Sequence, residues 1–182
     1  HASGAARVNG RLLRDSIRAA AEKRGARLMI GKGSIATDGA RATGVVVNGE
    51  TIPAGQVLIC GGAWSVALGE QLGVFLDIYP QRGQILHIDL VGQETKDWPI
   101  LTSFNSFYIL AFPQGRMVLG GTREHDSGFD PSFTAGGMHE VLTQTLGMAE
   151  GLRTGKLAEW RVGLRPFSRD EKPILGEVPG WE

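Results

Sequence analysis

The chain has 182 residues, 42% of them hydrophobic and 21% charged, with 19 basic and 19 acidic side chains. That composition suits one soluble core or two partial ones, and a net charge of zero gives no electrostatic reason to expect nucleic acid or an anionic membrane as partner. No run approaches the roughly 20 apolar residues that span a bilayer, and the opening HASGAARVNG has no signal-peptide core, so no membrane span is expected and the chain is read as cytoplasmic.

Val8, Leu12, Leu13, Ile17, Ala20 and Ala21 share one helical stripe, with Asn9 placed to cap it and Gly25 to stop it. A short strand is predicted over Arg27–Ile30. Residues Val45–Ile52 form a predicted hairpin, because Asn48-Gly49 is the dipeptide that a two-residue type I′ turn requires. Val57–Cys60 reads as a fully apolar strand in which Cys60 is a buried, inert small hydrophobe, and Trp64–Leu72 opens a helix. From Tyr79 the pattern becomes alternating: strands are predicted over Gln84–Leu90, Phe107–Phe112 and Arg116–Gly121, the last two joined by Pro113-Gln114-Gly115. A helix over Ala135–Ala149 places Met138, Val141, Leu142, Thr145, Leu146 and Ala149 on one face, and Lys156–Arg165 is the last predicted strand. The expected class is α+β, with an antiparallel sheet.

Three side-chain chemistries are excluded early. A single cysteine forbids an internal disulfide, and His1, His87, His125 and His139 show no metal-ligand spacing, so no metal site is expected. No nucleophile–histidine–carboxylate set or paired-carboxylate site stands out. Gly31-Lys32-Gly33-Ser34-Ile35-Ala36 matches a dinucleotide-binding fingerprint, but such a fingerprint works only where a helix begins inside it. The turn-like continuation from Thr37 to Gly44 argues against that reading.

Three places remain. In Leu58–Ser65, LICGGAWS, two adjacent glycines let main chain lie against a flat or phosphorylated ligand; alternatively they let a helix pack on a strand, with Trp64 filling the core. Arg165, between Leu164 and Pro166, is poorly placed for a solvated charge and if buried needs an anion. Its planar fork suits a carboxylate gripped by two hydrogen bonds, or else a structural ion pair with Glu159 or Asp170. Tyr108 shares a strand face with Leu110, opposite Phe107 and Ile109, and its phenol either faces a pocket or is an ordinary sheet tyrosine.

Taken together, VNGRLLRDSIRAAAEKRGA, VLICGGAWS, YPQRGQIL, GRMVLGGTREHDSGFD and GLRPFSRDEKPILG, spread from about Arg7 to Gly180, resemble the D-amino-acid oxidase and glycine oxidase family of FAD-dependent oxidoreductases. The resemblance implies that Gly61, Gly62, Ala63 and Trp64 line an FAD site through main chain, and that Ile35, expected in a loop after the early strand, touches the adenine side. It also implies that Arg165 grips the carboxylate of a small amino-acid substrate, glycine, sarcosine or a D-amino acid, with Tyr108 assisting. Residues 1–78 would then be part of the FAD-binding domain, 79–164 the substrate domain and 165–182 the return to the first. Flavin would carry the redox step, so no residue here is expected to be catalytic.

Two departures qualify it. The GxGxxG opening and the glycine-rich closing segment of the family are not in this sequence. The chain is therefore expected to be an internal piece, inactive and colourless by itself. In addition, Ala111-Phe112 stands where many relatives carry Pro-Arg. Rival classes are a non-catalytic module that binds small carboxylates through Arg165, and a purely structural domain on the same scaffold.

Overall fold

The computed structural model describes residue 4 and residues 6–182, so His1 lies outside the described residues. It divides into two compact units, one of Val8–Ile78 with Ser168–Glu182 and one of Tyr79–Phe167 with Arg7.

In the first unit, helix α1 covers Gly10–Lys23. Asn9 caps it as expected, its side-chain oxygen accepting the Arg11 and Leu12 amide N–H groups at 3.2 and 3.3 Å. Gly25 ends it at φ 91°. The apolar stripe is real but uncovered: no α1 residue is buried, and Leu12 is 65% exposed. Strands β1 (Gly33–Asp38), β2 (Arg41–Val47) and β3 (Glu50–Pro53) form an antiparallel sheet in that order. Asn48 and Gly49, at φ 52° and 89°, make the expected hairpin turn. Residues 31–36 run straight into β1 with no helix, which removes the dinucleotide fingerprint.

Two predicted strands do not form. Arg27–Ile30 and Val57–Cys60 are irregular, Leu58 is 86% exposed, and Cys60 is exposed rather than buried. An apolar run becomes a strand only when a neighbour completes its hydrogen bonds, and no described strand pairs with either. A 3₁₀ turn at Gly62–Trp64 then leads into α2, Ser65–Gln71, close to the predicted helix start. Residues 169–182 close this unit: the Trp181 indole N–H donates to the Leu72 carbonyl at 2.9 Å, and Glu182 exchanges backbone bonds with Ala40 and Ala42 at 3.0 Å each.

The second unit is built on a five-stranded sheet ordered β5-β6-β7-β4-β8. Its strands are β4 (Ile78–Asp89), β5 (Leu101–Thr102), β6 (Tyr108–Ala111), β7 (Arg116–Gly120) and β8 (Lys156–Ser168). Strand β5 went unpredicted, because two residues show no alternation. One sheet face carries Leu86, Ile88, Ile109, Met117 and Leu119, all 4% exposed or less, and packs with Val141 of helix α3, Ala135–Met148. Thr134 caps α3 by accepting the Gly137 N–H at 3.0 Å. The alternation predicted for Tyr108 holds: Phe107 and Ile109 belong to the core, while Tyr108 and Leu110 leave from the opposite face. The observed class is α+β with antiparallel sheets.

Candidate functional site

The coreless face of the second unit holds Arg165 and Tyr108, and glycines make the room. A Cβ at Gly83 would lie 2.4 Å from a nitrogen of the Arg165 guanidinium, and one at Gly120 would lie 2.3 Å from the Tyr108 ring. Both side chains therefore lie flat on main chain, which no other residue type at 83 or 120 permits.

Arg165 is half-buried. Its Nη1 donates to the Gln81 side-chain oxygen at 3.2 Å and to the Thr122 carbonyl at 3.0 Å. Both acceptors are neutral, and among the described residues no carboxylate pairs with it. Of the structural alternatives, Glu159 is taken by Arg161 at 2.7 Å. Burial lowers the Arg165 pKa, Tyr108 raises it and Arg123 lowers it again, yet a guanidinium remains charged in a protein. The result is a fixed, partly desolvated cation whose acceptors leave it an unmet need for an anion.

Tyr108 is half-buried beside it. Burial pushes the phenol above its ordinary value, against the opposing pull of Arg165, so at neutral pH it keeps its proton and remains a donor. A cation and a phenol donor on one glycine-cleared face match a small carboxylate.

The groups that aim Arg165 were missed by the sequence reading. Gln81 is 2% exposed; its amide nitrogen lies 3.2 Å from a ring nitrogen of His125, whose ring meets Phe167 edge-on at 5.0 Å. Thr122 is anchored from the other side of the ladder. Its hydroxyl accepts the Gln84 backbone N–H at 3.0 Å and donates to Glu124 at 2.6 Å, and Glu124 also receives Arg82 at 2.7 Å and the Gln84 amide at 2.7 Å. Burial raises the Glu124 pKa, but the bonds from Thr122, Gln84 and Arg82 outweigh it and hold the group below its ordinary value. The available signal was Gly83, a glycine inside a strand pattern, which marks a close approach.

One consequence is a substitution with opposite effects on stability and binding. Gly83→Ala should leave the thermal midpoint unchanged or slightly higher, since Ala in a strand is favoured over Gly by about 0.5–1 kcal/mol. The new methyl displaces only the far end of Arg165, so affinity for a small carboxylate, measured by calorimetry, should fall by about tenfold or more. Equal affinity in the variant would show that the guanidinium's seat is immaterial.

The second candidate place lies in the first unit. Gly61 and Gly62 are half-buried, Ala63 is 1% exposed and anchors the corner, and Trp64 is 57% exposed. Gly62 sits at φ 55°, and a Cβ at Gly61 would come within 3.1 Å of the Ser65 nitrogen. The alternative in which Trp64 fills the core does not hold. The corner offers bare main chain and an exposed indole, which fits a planar group. Ile35 differs from expectation: it lies inside β1 paired with Val45, and its N–H donates to the Gln71 side chain at 3.1 Å.

Comparison with known proteins places the whole chain within one family. The family model described as DAO, FAD dependent oxidoreductase, matches residues 1–182. The uncharacterized oxidoreductase YurR of Bacillus subtilis is 41% identical over 180 residues, covering 98% of this chain and 48% of that protein. The iminodiacetate oxidase of Chelativorans sp. BNC1 superposes with a TM-score of 0.92 at 41% identity, over 96% of this chain and 47% of its own. A glycine oxidase of Pseudomonas aeruginosa is 31% identical over 146 residues, 80% of this chain and 39% of that protein. The chain thus spans about half the length of YurR and of the iminodiacetate oxidase. With the family model covering its whole length, the chain belongs to the DAO family of FAD-dependent oxidoreductases.

Proposed function

We propose that the protein containing this chain oxidises the C–N bond of a small amino acid, with FAD as cofactor. The observation that carries this reading is Arg165: a half-buried guanidinium, aimed by two neutral acceptors and lacking a carboxylate partner among the described residues. Glycine, sarcosine and D-amino acids are the substrates considered first, and the likeness to an iminodiacetate oxidase adds iminodiacetate to them.

When bound, FAD would supply the hydride acceptor for oxidation of the substrate C–N bond, and the resulting iminium would be hydrolysed by water to a carbonyl compound and an amine. The residues of this chain bind and orient. Arg165 takes the carboxylate, Tyr108 donates its phenolic proton to the same group, and together they fix the direction of the α-carbon. Gly61, Gly62, Ala63 and Trp64 would hold the flavin ring by main-chain contact. Ile35 would serve the adenine side through its carbonyl, since its N–H is already committed.

The test uses the full-length protein loaded with FAD and mixed anaerobically with glycine, sarcosine, D-alanine or iminodiacetate. At least one should bleach the visible flavin band and release the matching oxo acid. Binding of these compounds without bleaching by any of them would favour a carboxylate-binding module instead.

A further inference from the structure

Beside Arg165 stands a second arginine, which the substrate-binding account leaves idle. Arg82 and Glu124 are bridge partners, exchanging backbone bonds in both directions at 2.9 Å, and the Thr122 N–H donates to the Gln84 carbonyl at 3.2 Å. Gly83 and Arg123 therefore stand opposite each other in an antiparallel ladder, and directly opposed residues project from the same face. Two observations identify that face. The Cβ direction of Gly83 points at the Arg165 guanidinium. One step along, Gln81 meets both Arg165 and His125, while Gln84, Thr122 and Glu124 bond one another on the other side. Arg123 consequently leaves the ladder on the side of Arg165 and Tyr108.

Arg123 is exposed, and no ion pair holds it among the described residues. The adjacent Glu124 carboxylate is turned away and occupied by Arg82. Arg165 also feels the positive charge of Arg123, so the two cations are near neighbours. Two like charges on one face, neither neutralised by a carboxylate, repel each other unless an anion joins them.

We propose that Arg123 is a second anion seat on this face, and that the preferred substrates are small amines bearing two carboxylates, one for Arg165 and one for Arg123. This rests on the proposed role of Arg165 as the first seat. A monocarboxylate such as sarcosine would leave Arg123 unused and bind more weakly.

Two non-oxidisable ethers isolate the second carboxylate: oxydiacetate has two, and methoxyacetate keeps the same C–O–C core with one. Each is titrated calorimetrically into the FAD-loaded full-length protein. The parent should prefer oxydiacetate by about tenfold or more, the value of one added charge-assisted pair. Arg123→Ala and Arg123→Gln should bring that ratio to about one, while Arg123→Lys should keep part of it. A parent ratio near one, or a ratio unchanged in Arg123→Ala, overturns the second seat. Failure of the first seat is read separately: methoxyacetate would then bind Arg165→Ala as tightly as it binds the parent.

Discussion

Arg165→Ala in the FAD-loaded full-length protein should raise the apparent substrate constant by two to three orders of magnitude. Removing one partner of a desolvated charge pair costs about 2–5 kcal/mol, and each 1.4 kcal/mol is tenfold in affinity. Thermal melting separates binding from structure. The bonds lost in the free protein run to two neutral acceptors, Gln81 and the Thr122 carbonyl, each worth about 1 kcal/mol at most sites, and the variant is relieved of an unpaired, partly desolvated cation. Stability should therefore change by about 1 kcal/mol or less while the substrate constant changes by far more. Arg165→Lys should recover little, because an ammonium lacks the planar fork. An unchanged substrate constant would remove Arg165 from the site.

Glu124→Ala should behave in the opposite way, costing stability first. Its carboxylate receives Arg82, Gln84 and Thr122, and the Arg82 side chain is only 11% exposed. Asp130 still holds Arg82 at 2.8 Å in the variant, so the loss should be about 3 kcal/mol, the low end for breaking a buried pair. Chemical denaturation measures it. The same carboxylate predicts an acid limb: its folded pKa lies below the ordinary 4.5, so its contribution is complete above that value and is lost as pH falls toward and through the folded pKa. Glu124→Gln should flatten this limb of the stability profile. A profile identical to that of the parent would mean that the network does not depend on the charge. Substrate affinity should weaken secondarily, because Glu124 fixes Thr122, whose carbonyl aims Arg165.

How far the sequence spoke can be judged element by element. Asn9, the Asn48-Gly49 turn and the apolar face of α3 carry their signals within a few residues, and all three were legible. Val57–Cys60 was misread because its apolar character describes the strand's preference and not the presence of a neighbour to pair with. The site divided along the same line. The flanking Leu164 and Pro166 marked Arg165 as a candidate and strand alternation gave Tyr108 a face, but only the family resemblance proposed a substrate carboxylate for them. The residues that hold Arg165 in place lie 43 and 84 positions from it, and no local pattern links them. Arg123 was illegible for a further reason: an arginine between Thr122 and Glu124 looks like a solvated charge until the ladder shows which face it shares.

The most direct measurement is a crystal structure of the FAD-loaded full-length protein with methoxyacetate bound. The ligand carboxylate is expected on the guanidinium of Arg165, with the Tyr108 hydroxyl donating to it and Gln81 and Thr122 still in place behind. A carboxylate bound elsewhere, with Arg165 left facing only its two neutral acceptors, would contradict this expectation.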